Sequence, residues 1–194
     1  LLVLDFETRY SKDYSLSKMT TESYINDFQF EVIGIAVKRN HEETKWFSGT
    51  MQETKEWLSQ FDWGNSIVVA HNAMFDMAIL GWRFGIHPKV CICTLCMARA
   101  LHAVSVGGSL AALSEYYGLG VKGTEVLNAL GKGRLDFNEA ELEAYAGYCI
   151  NDVELTYKLF HTMLSKIPKP ELKLISVTTK MYSDPALLLD TQML

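Results

Sequence analysis

The chain has 194 residues, 48% of them hydrophobic and 21% charged, with a formal net charge of −5. That length suits one domain with a core of its own, and no apolar run approaches the roughly 18 residues that a membrane span needs. The acidic balance argues against a protein that coats nucleic acid through a basic surface. It leaves open an enzyme that handles nucleic acid through bound cations, because acids that hold metal count as bare charge in such a sum.

The chain opens on Leu1 rather than Met and reads as a fragment or a processed chain; the initial LLVL is too short for a signal peptide. Residues 1–7 (LLVLDFE) read as a buried strand. Residues 30–40 alternate and are rich in β-branched side chains, and 44–49 follow after a polar turn, which predicts a hairpin. A helix fits 51–61, a short buried strand 66–72, and a helix 74–85 ending at Gly85. Residues 90–94 (VCICT) are a fifth strand. Helices then dominate, over 95–103, 109–117 and 138–165, and Pro168 and Pro170 precede a last helix over 171–182. Strands first and helices after predict an α/β sheet with helices packed on it.

Four cysteines are present, Cys91, Cys93, Cys96 and Cys149. Cys91 and Cys93 lie in a strand-like run rather than a metal knuckle, so buried reduced thiols are expected over a zinc site. A reducing cytoplasm fits them. The stretch 123–137 contains Lys132 and Arg134 and reads as an ordinary surface turn, with a mobile basic loop as the alternative.

Three places put carboxylates where a core is expected. Residues i and i+2 of a strand share a face, so Asp5 and Glu7 are neighbours roughly 6–7 Å apart. Two buried like charges are costly. Protonation, a basic partner such as Arg9, or a divalent cation would each relieve them. In HNAMFDMAIL (71–80), Asp76 falls in the first turn of a helix and Asn72 fits its N-cap, an arrangement that capping and the helix dipole would also explain. In the long helix, Leu142, Tyr145, Cys149, Thr156, Leu159 and Met163 form one apolar stripe, and Asp152 falls inside it. Tyr148, four residues earlier, shares its face. Asp5, Glu7, Asp76 and Asp152 together are hard oxygen donors with no histidine among them. That is ligand chemistry for Mg²⁺ or Mn²⁺ rather than structural zinc. Two such ions about 3.5–4 Å apart can support phosphodiester cleavage.

These residues also carry a resemblance. Asp5-Phe6-Glu7, Asn72-Ala73-Met74-Phe75-Asp76 and Tyr148-Cys149-Ile150-Asn151-Asp152 stand in the order of the three motifs of the DEDD superfamily of 3′–5′ exonucleases, in the branch with tyrosine in the third motif. The spacing resembles the proofreading domain of family A DNA polymerases. The resemblance implies a ribonuclease-H-like fold, with a five-stranded mixed sheet flanked by helices. It implies two divalent cations, Mg²⁺ or Mn²⁺, held by Asp5, Glu7, Asp76 and Asp152. Tyr148 would position the attacking water with Glu7, and Phe6, Thr8, Asn72 and Phe75 would contact the substrate. The implied reaction releases nucleoside 5′-monophosphates from the 3′ end of single-stranded or unpaired DNA. A ribonuclease-D-like enzyme acting on RNA and an inactive binding module are the alternatives.

Residues 14–25 and 183–194 resemble phage or mobile-element polymerases, with 183–194 as the junction to a polymerase domain acting in cis or trans. On this reading 1–167 form the exonuclease domain and 168–194 a C-terminal helix and junction. The protein would be a monomer with no membrane partner, located in the cytoplasm of a bacterial host if phage-encoded. Where relatives carry Asp before Thr94, this chain has Cys93. Lys122, Lys132 and Arg134 are candidate phosphate contacts.

Overall fold

The computed structural model describes residues 1–103, 105–123, 129–187, 190, 192 and 193. Of the 123–137 stretch, residues 124–128 lie outside the described residues. Five strands form one mixed sheet: β1 (Leu2–Thr8), β2 (Val32–Arg39), β3 (Lys45–Phe47), β4 (Ile67–Ala70) and β5 (Val90–Cys93), in the order β3-β2-β1-β4-β5. β1 pairs antiparallel with β2 and parallel with β4; β2–β3 is antiparallel and β4–β5 parallel. Along β1 every residue but Asp5 is buried, as expected of a central strand covered on both faces. The ladder with β2 sets Asp5 opposite Ala36 and Glu7 opposite Gly34, then shifts register between Glu7 and Thr8. The chain thus leaves the sheet just past the two acids.

Among the described residues seven α-helices accompany the sheet: α1 (Thr21–Asn26), α2 (Met51–Leu58), α3 (Met74–Phe84), α4 (Thr94–His102), α5 (Leu110–Tyr117), α6 (Glu139–Leu164) and α7 (Lys169–Ser183). Thr50 and Glu53 close a capping box on α2, as Asn138 and Glu141 do on α6. Gly85 ends α3 in the left-handed region at φ 68°. α1 was not among the predicted elements: six residues, capped by Thr20, are too few for a helical period to show. A 3₁₀ turn at Arg134–Asp136 was likewise unexpected.

β4 stops at Ala70, two residues short of the expected end, because Asn72 adopts φ 61° and turns the chain into α3. The inward face of α6 contributes Cys149, Val153 and Leu159 to the main core beside β1 residues Leu2 to Leu4. α7 packs on β5 and α3; the Cys91 N–H donates to Ser176 Oγ at 3.1 Å, and Trp82 Nε1 donates to the Ser183 carbonyl at 3.1 Å.

Candidate active site

The second half of β1, the start of α3 and the middle of α6 bring the predicted acids together. Asp76 is 2% exposed, Asp152 4% and Glu7 8%, and Asp5 is half-buried. The Phe6 N–H donates to Asp76 Oδ1 at 3.1 Å, which ties α3 to β1 between the two strand acids. The Cys149 thiol donates to the Asp5 carbonyl at 3.4 Å and approaches its Oδ2 at 3.7 Å, tying α6 to the same place.

Burial and mutual repulsion act on Asp5, Glu7 and Asp76. Asp5 is pushed up to about 7, first by burial and then by Asp152, with Lys122 opposing. Burial and the charge of Asp5 push Glu7 and Asp76 well above the usual carboxylate range. Burial, and then Asp152, keep the Tyr148 phenol protonated. Asp5, Glu7 and Asp76 therefore resist full ionisation unless cations join them.

The cation present is not the expected one. Arg9 does not partner the strand acids: its Nε is buried with no hydrogen-bond partner among the described residues. Instead Lys122, from the segment after α5, ion-pairs with Asp152 and lies over the Tyr148 ring at 4.9 Å. No sequence period aims a loop lysine, so only the fold reveals this contact. Lys132, a second candidate phosphate contact, pairs with Glu141 at 2.7 Å instead.

Tyr145 is a further residue that motif reading missed. Its O–H donates to Glu7 Oε2 at 2.7 Å, and its ring lies parallel to that of Tyr148, 6.2 Å away. Its place in the inward stripe of α6 was visible, but its hydrogen-bond partner was not.

The donor set suits hard divalent cations. Single ligand atoms of Asp5, Glu7 and Cys149 lie within 4.8 Å of one another. Cys149 is the one soft donor; burial and then Asp5 keep its thiol protonated, so it serves Asp5 as a hydrogen-bond donor. That leaves the carboxylates of Asp5, Glu7, Asp76 and Asp152 as the oxygens that could hold Mg²⁺ or Mn²⁺. Among the described residues no cluster gathers Cys91, Cys93 and Cys96 around a metal.

A cavity of about 290 Å³ opens beside Glu7. Phe6, Thr8 and Phe75, three of the four predicted substrate contacts, line it together with Tyr10, Tyr24 and Tyr145. Thr8 Oγ1 and the Tyr24 hydroxyl lie 2.8 Å apart, and that hydroxyl donates to the Arg9 carbonyl at 2.5 Å. The fourth, Asn72, does not line this cavity. It is exposed in the turn before α3, and it is not the N-cap either: Ala73 holds that position with no side-chain hydrogen bond.

A five-stranded mixed sheet with helices around it and this acidic junction define the class: the fold is that of the ribonuclease-H-like exonucleases. A family model described as 3′–5′ exonuclease matches residues 16–168, and the chain belongs to that family. The match begins after Asp5 and Glu7, so their grouping with Asp76 and Asp152 rests on the structure. No curated protein sequence matches the chain.

Among solved structures it is similar to Brucella melitensis NrnC with bound Mg²⁺ (13% identity, TM-score 0.62, covering 94% of this chain and 81% of that one). It is also similar to NrnC bound to pGG (15% identity, TM-score 0.63, covering 94% of this chain and 80% of that one). A third is Trypanosoma brucei RNase D in complex with RNA U12 (11%, 0.70, covering 97% of this chain and 65% of that one). At these identities the likeness is one of fold. No helix among the described residues is long and apolar enough to cross a membrane.

Proposed function

We propose that the chain is a metal-dependent 3′–5′ exonuclease that removes nucleoside 5′-monophosphates one at a time from single-stranded 3′ ends. One observation carries the reading. Asp5, Glu7, Asp76 and Asp152 converge from three elements, buried or half-buried, against one lysine.

Asp5, Glu7, Asp76 and Asp152 would hold two divalent cations, Mg²⁺ or Mn²⁺, in keeping with the Mg²⁺ in the NrnC structure. Bound there, they would supply Lewis acidity, lowering the pKa of a water and offsetting charge on the leaving oxygen. The residues of the chain do the rest. Tyr145 holds the Glu7 carboxylate by its hydrogen bond, and Tyr148, kept protonated, donates to the attacking water that Glu7 accepts from. The water oxygen bonds to phosphorus as the P–O3′ bond breaks, and the leaving O3′ takes up a proton from solvent, leaving a strand one nucleotide shorter with a free 3′ hydroxyl. Phe6 and Phe75 offer faces on which any base can stack, which suits an unselective nuclease, and Thr8 offers a hydroxyl at the same wall.

The DNA reading follows from the resemblance to family A proofreading domains. A second reading, RNA or short oligonucleotides, is favoured by the pGG and RNA U12 in the NrnC and RNase D structures. Rates on DNA and RNA strands of matched sequence separate them: faster loss of the RNA strand replaces the first reading with the second. Proofreading beside a polymerase domain, with 1–167 as the nuclease and 168–194 as the junction, is the narrower form of the DNA reading. It requires preference for an unpaired over a paired 3′ terminus. An inactive binding module would retain single strands in chelator and cleave none with metal.

A further inference from the structure

The starts of β4 and β5, the last turns of α6 and one side of α7 border a cavity of about 620 Å³. It lies at the end of the sheet away from the acids. β1, β4 and β5 run parallel, Asp5 and Glu7 stand in the second half of β1, and Ile67 and Val90, the first residues of β4 and β5, line the cavity. Its volume is in the range that takes a small organic ligand. The wall is apolar: Ile92 and Phe160 are buried, while Ile67, Leu164 and Val177 are exposed by 45%, 38% and 48%. Single exposed apolar side chains need no partner, but three on one concave surface mark a place where apolar matter is taken up.

The polar side chains at this cavity are all donors. Lys89, Lys173 and Lys180 line it, the first two exposed and the third half-buried. No carboxylate among the described residues pairs with any of the three. Asp184, four residues after Lys180, faces His87 Nδ1 at 3.3 Å instead. In a chain of net charge −5 this is a local excess of positive charge. Ser176, 8% exposed, is the fourth polar side chain. Its Oγ accepts the Cys91 N–H at 3.1 Å, and its own O–H has no acceptor among the described residues. Thr179 and Ser183 on the same helix each donate theirs to a carbonyl one turn back, Ile175 at 2.9 Å and Thr179 at 3.1 Å. Ser176 therefore keeps a buried donor at the cavity wall.

We propose that this cavity binds a free aliphatic carboxylate, an unbranched tail with one anionic head. The tail lies against the apolar wall and covers Ile67, Leu164 and Val177. The head accepts from the Ser176 hydroxyl and from the Lys180 ammonium, with Lys89 and Lys173 adding positive charge around it. The lysine stems are themselves apolar and extend the wall beneath their charged ends. Charge complementarity selects the head: a cationic amphiphile would meet three like charges, and a plain hydrocarbon would leave the Ser176 donor without an acceptor. The nuclease chemistry uses none of these residues, and the site stands whether or not the chain is a nuclease.

The test is calorimetric titration of the full chain with dodecanoate below its micelle-forming concentration, beside decanoate and dodecyltrimethylammonium. Dodecanoate should bind one to one and raise Tm. Decanoate, two methylenes shorter, should bind about tenfold more weakly, and the cationic amphiphile at least as much more weakly. Val177→Trp should fill the cavity and abolish binding while the chain still melts cooperatively. Lys173→Gln with Lys180→Gln, on side chains that hold no core contact with a partner charge, should weaken dodecanoate and leave the cationic probe no weaker, which keeps the test open if the tryptophan variant fails to fold. An acyl chain still anchored in a bilayer is the other source of such a ligand, and the chain should stay in the supernatant when spun with phosphatidylglycerol vesicles. No heat of binding, equal binding of the two dodecyl probes, an unchanged affinity in the lysine variant, or sedimentation with the vesicles would each overturn the proposal.

Discussion

The Glu7 carboxylate is held by one phenol, the Tyr145 O–H at 2.7 Å, in surroundings that otherwise push it toward protonation. A hydrogen bond to a charged group contributes roughly 1.5–3 kcal/mol. Tyr145→Phe should therefore raise Glu7 further and slow the nuclease about tenfold or more at the acidic end of its range. The acidic limb of the pH–rate profile should move to higher pH, and an unmoved limb would remove Tyr145 from the account. Tyr148→Phe should cost about a hundredfold, the lower range for loss of a positioned proton donor, while Mn²⁺ binding measured by calorimetry stays near that of the unaltered chain. If Asp5 and Asp152 hold the cations as proposed, Asp5→Ala and Asp152→Ala would each remove a ligand, and with several kcal/mol of charge stabilisation at stake should lower the rate by more than about a thousandfold. Activity within tenfold of the parent in either variant would sink the assignment of that residue.

Among the elements, β1 and α6 were the most legible from sequence. Asp5 and Glu7 show as charges on one face of an apolar strand, and Asp152 shows as a charge in an apolar helical stripe; in both, a period fixes the direction of the side chain. What was not legible depends on contacts between elements. Lys122 reaches Asp152 from a segment with no period, and Tyr145 finds Glu7 only once α6 lies against β1. Asn72 suits an N-cap by residue type, yet takes the left-handed turn before it, a conformation that asparagine tolerates well. The sheet also has a steric requirement at Gly34, opposite Glu7. A Cβ there would come within 2.2 Å of the Trp46 ring and 2.9 Å of the Phe47 carbonyl oxygen. Gly34→Val should cost about 1–3 kcal/mol, lowering Tm by about 2–12 °C in a chain of this size. An unchanged melting curve would mean that Trp46 moves aside freely.

For the whole molecule, the acidic junction links folding to protons and metal. Asp5 titrates at about 7 in the fold and near 4 in an unfolded chain. Between those values the folded state binds more protons than the unfolded one. The stability that Asp5 contributes in chelator is therefore fully present below about pH 4 and is lost as pH rises toward 7; Glu7 and Asp76, shifted the same way, add to the loss. On the proposed function Mg²⁺ or Mn²⁺ would bind the ionised acids and offset it, so the gain in Tm on adding metal should grow from pH 5 to pH 8. A gain that is constant with pH would contradict a cluster that trades protons for metal.

The most direct test of the central claim is a gel assay on 5′-labelled single strands of DNA and RNA of matched sequence, with Mn²⁺, with Mg²⁺ and with chelator, beside a variant carrying Asp5→Ala and Glu7→Ala. A ladder that shortens from the 3′ end in either metal, and is absent in chelator and in the variant, is expected. Intact strands in every lane, or a ladder that survives in chelator or in the variant, would contradict it.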